Sequence, residues 1–563
     1  MSALASGKLI APAKVQGPVL ALSEGLSFWG GVDPDTGHIR DAYHPACGES
    51  MAGRIVMMPT SRGSCTGSGV LLELALNGKA PAALIFRESE DILTLGALIA
   101  GRMFDRHLAV LRLPAESYEA LAACSEAAIH DDRVEAEDLS IPLERVDASA
   151  LELTAADRAM LDGQEGEAVQ LAMEMICTMA ASQGATALVD VTRGHIDGCI
   201  YASHANLRFA EAMLDLGARV RIPTTMNAIS VDFGNWQAQG VDPAFGQPAS
   251  RLAQAYVDMG ARASFTCAPY LLDDAPTKGE AIAWAESNAV IYANSVLGAR
   301  TVKHPDFLDL CIAMTGRAPM SGVYSDDARR ARLIINVELP SGHNDAFWPM
   351  MGWVAGRLAP DCIPLIRGLE AAAPNEDDLK ALCAAFGTTS AAPMLHVAGV
   401  TPEADNVALP DAREVTVGPA DLLEAWTAFN QGGEQVELVA FGSPHFSIAE
   451  CGKLAELLDG RQCKTGTTAI VTLGRDALAA VQADGTVERL KRAGVKVVAD
   501  ICWCSISEPV FPPEARNLMT NSGKYAHYAP GLSGRTVRFG SLAECAEAAV
   551  TGLAPKTPPT WLA

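Results

Sequence analysis

The stretch Pro59-Thr60-Ser61-Arg62-Gly63-Ser64-Cys65-Thr66-Gly67-Ser68-Gly69 gathers hydroxyls, a thiol, a guanidinium and glycines in one short segment. Glycines let a backbone turn sharply and approach a ligand closely, and successive N–H groups in such a turn form an anion-binding nest. Arg62 adds a fork of donors suited to a carboxylate. No Lys-Ser or Lys-Thr closes the stretch, so it is not a Walker phosphate loop. From spacing alone, a plain Ser/Gly turn between two strands is the more economical reading. Cys267, Cys502 and Cys504 form a second group, standing at expected strand ends rather than on apolar helical faces. Thiolates there would select an iron–sulfur cluster, zinc or copper(I); ordinary loop and core cysteines explain them as readily. His195, His204 and His445 follow expected strands and could hydrogen-bond a substrate or serve as structural residues. Lys524, in the polar loop Asn521-Ser522-Gly523-Lys524, faces either an anionic ligand or solvent.

The elements that must position these residues follow from the apolar pattern. Ile55-Val56-Met57-Met58 reads as a buried strand, Val70 to Leu76 as a helix ended by Asn77-Gly78, and Ala82 to Phe86 as the next strand. The Ser/Gly loop then lies at a strand-to-helix junction, where N–H donors and the positive end of the helix dipole face outward. Residues 1 to about 150 read as a mostly β unit, and the polar run from His130 to Asp138 precedes a linker near 150. Leu153-Thr154-Ala155-Ala156-Asp157 looks like a capping box. A helix from Ala168 ends at Gly184, and Ala187-Leu188-Val189 begins a strand. From there helices alternate with short strands, the mark of α/β architecture.

The chemically loaded segments follow expected strands. Val220 to Pro223 leads to Asn227, Ala263 to Thr266 leads to Cys267, and Val436 to Phe441 leads to Gly442-Ser443-Pro444-His445. Val495 to Ile501 leads to Cys502-Trp503-Cys504, with Thr468 to Leu473 as an intervening strand. Carboxyl ends of parallel strands share one edge, where ligands bind, so these segments could converge. Cys502 and Cys504 alternate along an extended segment and reach one site only if the strand stops before them.

A chain of 563 residues with 49% hydrophobic and 20% charged content suits a soluble globular protein of several domains. No apolar run has transmembrane length, and the opening MSALASGKLIAPAKV is too polar for a secretory signal. The net charge of −24 argues against nucleic acid or an anionic membrane as partner, though not against a small anion held by a few buried cations. Fourteen cysteines without an export signal suggest reduced thiols and a cytoplasmic address.

Several motifs together carry a resemblance. Ser27-Phe28-Trp29-Gly30-Gly31-Val32-Asp33-Pro34 with Ser61 to Ser68 resembles the small swivel domain of aconitase X. Thr266-Cys267-Ala268-Pro269-Tyr270-Leu271, Trp284 to Val290, Tyr292 to Arg300, Gly442 to His445 and Asn521 to Lys524 resemble that family's large domain, in family order. The resemblance implies an iron-dependent hydro-lyase of α/β class, with a mostly β swivel domain over 1–148 and a large aconitase-like domain over 149–563. Archaeal members, usually two chains, resemble dehydratases of phosphorylated mevalonate. Fused chains like this one look like cis-3-hydroxy-L-proline dehydratases, which yield Δ1-pyrroline-2-carboxylate. A non-catalytic iron–sulfur sensor is the alternative from another class. The resemblance places the family's serine base on Ser64, assisted by Arg62, and its cluster cysteines on Cys267 and Cys502. Archaeal members show Gly-Cys-Pro-His where this chain has Gly442-Ser443-Pro444-His445, so Cys504 would have to supply a third thiol. A 2Fe–2S cluster is favoured, with 4Fe–4S or a single iron as alternatives. The substrate would be a small hydroxy amino acid, and its candidate contacts are Ser61, Ser68, His204, Asn227 and Lys524.

Overall fold

The computed structural model describes residues 4–41, 44–62 and 64–562; Gly63 of the Ser/Gly loop lies outside them. The chain divides into two compact units. The first runs to Thr224 and takes in Ala255–Ala261 and His304–Ser321; the second comprises Thr225–Gln254, Arg262–Lys303 and the chain from Gly322 onward.

The N-terminal part of the first unit is a closed eight-stranded barrel. Its strands are β1 (Gly7–Ala11), β2 (Val15–Ala21), β3 (Ile55–Met58), β4 (Ala83–Phe86), β5 (Ala109–Arg112), β6 (Glu126–Ile129), β7 (Arg133–Ala136) and β8 (Leu139–Arg145), in the order β1-β5-β4-β3-β2-β6-β7-β8. Strands β3 and β4 are parallel, pairing Ile55 with Ala83 through Met58 with Phe86, so the connection must cross over, and α1 (Gly67–Leu76) does so. All four β3 side chains are buried, each contributing roughly 1.5–3 kcal/mol of burial free energy, which is why this short apolar run is legible as a strand. Helix α1 starts three residues before the apolar period does. Its first residues are small because they are buried: a Cβ on Gly69 would lie 2.9 Å from the Asn206 amide. The polar run from His130 to Asp138 holds β7, whose Val134 and Ala136 are buried between charged neighbours. Strand β8 then closes the barrel on β1.

Beyond the barrel, the first unit continues with a helix at Ala155–Leu161, started by the reciprocal Thr154–Asp157 capping box, and one at Glu167–Gln183, stopped by Gly184 at φ 75°. Glu73 of α1 accepts the Ala205 N–H of the helix His204–Asp215 at 2.6 Å, and Arg102 of the helix Ile92–Phe104 donates to Glu174 of Glu167–Gln183 at 2.8 Å.

The second unit holds two parallel sheets. One has the order His396–Val397, Pro364–Arg367, Ala331–Val337, Ala408–Val417. The other has the order Val495–Ala499, Thr468–Leu473, Leu438–Phe441, Asn517–Thr520, Thr536–Phe539. In this second sheet the chain starts in the middle, winds to one edge, then jumps back to wind to the other. Leu438–Phe441 and Asn517–Thr520 therefore flank the topological switch point, where a crevice opens beyond the carboxyl ends of the strands. The segments that leave those two strands are Gly442-Ser443-Pro444-His445 and Asn521-Ser522-Gly523-Lys524.

Two expected strands shift. Pro223 offers no ladder donor, and the strand forms after it, at Thr224–Met226. Ala263 to Thr266 forms none. Instead the Ser264 hydroxyl accepts the Met226 N–H at 2.8 Å and donates to the Met226 carbonyl at 2.9 Å, taking the place of a backbone rung, while Phe265 turns to φ 39°. No described helix is long and apolar enough to cross a membrane.

Candidate active site

In the first unit the Ser/Gly loop is tied down by its own hydroxyls. Thr60 donates to the Ser89 carbonyl at 3.1 Å, Ser61 to Glu90 Oε1 at 2.6 Å, and Ser68 to the Ile92 carbonyl at 2.9 Å. Ser68 also reaches the Cys65 carbonyl at 3.2 Å and is fully buried. Ser64 behaves differently: its hydroxyl donates to Thr66 Oγ1 at 3.0 Å and accepts the Thr66 N–H at 3.3 Å, at the entry to α1. Arg62 is 60% exposed and pairs with Glu24 at 3.3 Å. His204 is exposed as the first residue of the helix His204–Asp215.

In the second unit Cys267, Cys502 and Cys504 come together around Ala228. The strand Val495–Ala499 ends before the cysteines. Asp500 turns to φ 70°, held by two Arg475 hydrogen bonds of 2.7 and 2.9 Å and by the Phe233 N–H at 3.0 Å. Cys502 to Ser505 then forms a turn closed by the Ser505 N–H on the Cys502 carbonyl at 2.9 Å. That turn removes the strand alternation that would have aimed Cys502 and Cys504 apart. His445 braces the group: its backbone N–H donates to Cys267 Sγ at 3.3 Å, its Nε2 meets the Ile501 carbonyl at 2.9 Å, and its Nδ1 lies 3.3 Å from Thr266 Oγ1. Burial keeps this imidazole below its ordinary value, hence neutral.

Beside the thiols lies a buried polar network. Lys524 Nζ donates to Glu286 Oε1 at 2.7 Å, and Asn227 Nδ2 to Glu286 Oε2 at 3.2 Å. Asn288 Nδ2 donates to Glu286 Oε1 at 2.5 Å and to the Cys267 carbonyl at 3.0 Å, and Asn288 Oδ1 accepts the Tyr270 hydroxyl at 2.8 Å. Burial opposes charge on both members of the Lys524–Glu286 pair, but each outweighs that penalty for the other, raising the ammonium and lowering the carboxyl. Hydrogen bonds from the Cys267 and Cys504 thiols, with Lys524 nearby, hold Cys502 well below its ordinary value. Burial pushes Cys267 up, and the bond to Cys502 pushes Cys504 up. As bare thiols, then, the three are unequal, with charge favoured on Cys502. A metal cation, which deprotonates a coordinating thiol outright, lets all three ionise. Buried convergence, an N–H···S bond and one ready thiolate fit a thiolate-held metal centre.

Models of the aconitase X swivel, first, second and third domains match residues 4–137, 150–327, 331–427 and 436–551. A cis-3-hydroxy-L-proline dehydratase of Pseudomonas aeruginosa is 50% identical over 97% of this chain and 96% of its own. The chain belongs to the aconitase X family. A second cis-3-hydroxy-L-proline dehydratase, from Hypocrea jecorina, is 47% identical over 96% of this chain and 94% of its own. The crystal structure of Thermococcus kodakaraensis aconitase X in its holo form superposes with a TM-score of 0.65 at 29% identity, covering 71% of this chain and all of that one. The expected α/β class and the aconitase X membership both hold.

Sequence reasoning left Glu286 and Asn288 without a role, although both lie in the stretch Trp284 to Val290 that carries the aconitase X resemblance. Their signal is relational: Glu286 acquires meaning from Lys524 and Asn227, which the fold brings to it.

Proposed function

We propose that this aconitase X protein dehydrates cis-3-hydroxy-L-proline to Δ1-pyrroline-2-carboxylate, with Ser64 as base and an iron–sulfur centre held by Cys267, Cys502 and Cys504. Residues 1–148 would act as the swivel domain carrying the base, and 149–563 as the domain carrying the metal. The observation that carries the reading is the gathering of two buried thiols and a half-buried third around Ala228, in a chain so similar, over nearly its whole length, to dehydratases of that substrate. Cys267, Cys502 and Cys504 would hold the iron, which would supply Lewis acidity for the departure of hydroxide. A 2Fe–2S centre is preferred, over 4Fe–4S or a single iron.

The reaction removes the α-hydrogen as a proton and the 3-hydroxyl as hydroxide, a net loss of one water, and leaves an enamine that tautomerises to the cyclic imine. Ser64 takes the proton. A neutral serine hydroxyl is a weak base, so the proton acceptor is the Ser64 alkoxide, which becomes the neutral hydroxyl. The alkoxide charge is eased by the Thr66 N–H on its oxygen and by the start of α1, whose dipole favours an anion. In the cis isomer the hydroxyl and carboxylate share a ring face, so the α-hydrogen lies opposite the leaving group. Lys524, held charged, and Asn227, on the same Glu286 carboxylate, are the proposed polar anchors for substrate. Ser61 and Ser68 would serve by holding the loop, Arg62 as a nearby positive charge, and His204 as a solvent-side contact. A phosphorylated mevalonate would call for several converging cations, and the Ser64 loop offers Arg62 alone. No described cysteine is in a disulfide, which supports a reducing, cytoplasmic setting. Anaerobic purification with an iron count and an assay on cis-3-hydroxy-L-proline tests the reading. Iron-loaded protein that leaves the substrate untouched would remove it.

A further inference from the structure

The first unit buries a second set of metal-type ligands that the dehydration does not use. Cys65 comes from the Ser/Gly loop, Asp197 from the segment after the strand Gly194–Ile196, and Asp306 from the turn before the helix Leu308–Thr315. One ligand atom from each lies within 4.8 Å of the other two. All three side chains are buried. The Asp197 segment is held in place: Asp309 accepts the Asp197 and Gly198 N–H groups at 2.7 and 3.1 Å. Gly198 leaves room that a side chain would fill, since its Cβ would lie 3.2 Å from Tyr256 Oη and 3.7 Å from Asp306 Cβ. The Tyr256 hydroxyl therefore borders the same space as Asp306. It is fully buried and has no hydrogen-bond partner among the described residues.

Two carboxylates this close in a buried setting repel each other, and a divalent cation between them turns the repulsion into attraction. A thiol in the set argues for a borderline first-row dication such as zinc or ferrous iron, and against magnesium or calcium, which take oxygen ligands. We propose that Cys65, Asp197 and Asp306 bind one such ion, with the Tyr256 hydroxyl or a water completing its shell. The ion pins the loop carrying Ser64 to two other segments of the first unit, because Cys65 is the next residue. Binding stands on this geometry alone; only the importance of pinning Ser64 rests on its role as base.

The test uses the full-length protein. Metal content is counted as isolated, and cobalt(II) uptake is followed by thiolate-to-cobalt charge-transfer absorbance. A Cys267→Ser, Cys502→Ser, Cys504→Ser variant is run in parallel to silence the thiol cluster of the second unit. Wild type and that variant are expected to hold or take up one equivalent of zinc-type metal at a site showing the thiolate band. Cys65→Ser, nearly isosteric, loses the band, and Asp306→Asn weakens uptake at least about tenfold, the scale on which altered metal surroundings act. If Asp306→Asn fails to fold, Cys65→Ser still decides. No such equivalent in wild type, a band unchanged in Cys65→Ser, or displacement by magnesium would overturn the site.

Discussion

Ser64 stands apart from the other hydroxyls of its loop by what it touches. Thr60, Ser61 and Ser68 reach residues 89, 90 and 92 and are occupied in holding the loop, whereas among the described residues the Ser64 hydroxyl pairs locally with Thr66. The composition of the loop is legible in the sequence, but this division of labour is not, because it depends on the start of the helix Ile92–Phe104 and the residues before it. Opposite outcomes follow for two serine variants. Ser64→Ala is expected to lower turnover by about 10²–10⁴-fold, the scale of a lost general base, with iron content and melting temperature unchanged. Ser68→Ala removes the buried hydroxyl that donates to the Cys65 and Ile92 carbonyls and is expected to cost about 0.5–1.5 kcal/mol of stability, read by denaturant unfolding, with turnover per folded molecule retained. Full activity in Ser64→Ala would remove the base assignment.

At the scale of elements, the thiol site depends on how strands end. Thr468–Leu473 is legible from its apolar run, and so is the alternation that makes a parallel sheet. The turn at Asp500 that brings Cys504 alongside Cys502 is not, because it is imposed by Arg475 and by the Phe233 N–H. The non-strand at Ala263 to Thr266 escapes for a like reason: a serine side chain replaces the rung. Gly442, which starts the loop after Leu438–Phe441, sits at φ 97°, and a Cβ there would lie 2.2 Å from the Thr472 carbonyl oxygen. That loop carries His445, whose N–H meets Cys267. Gly442→Ala is therefore expected to fold with reduced iron per protein and a weaker visible spectrum, while an alanine variant with full iron would show that the loop need not hold its present path.

For the whole fold, acidity has a definite sign. Burial, with the Glu90 charge beside it, pushes the Asp91 carboxyl from 3.8 up to about 7. Between those values the folded chain binds more protons than the unfolded one, so stability falls as pH rises through the window and levels off above it. Asp91→Asn removes this slope. Thermal unfolding is expected to show a gain of about 1–3 kcal/mol at pH 8, discounted from the full shift because the side chain is half-buried, and no gain at pH 4; an equal gain at both would exclude the titration. The family and fold class were legible in motifs spread along the whole chain. The barrel was only half legible, because β7 hides its two buried residues among charges. An iron-bearing dehydratase with Ser64 as base is tested by the turnover of cis-3-hydroxy-L-proline measured against iron content in anaerobically purified full-length protein. Coloured protein is expected, its rate of cyclic imine formation rising in proportion to bound iron, with trans-3-hydroxy-L-proline turned over far more slowly. Full activity in iron-free protein, or none in fully loaded protein, would contradict this assignment.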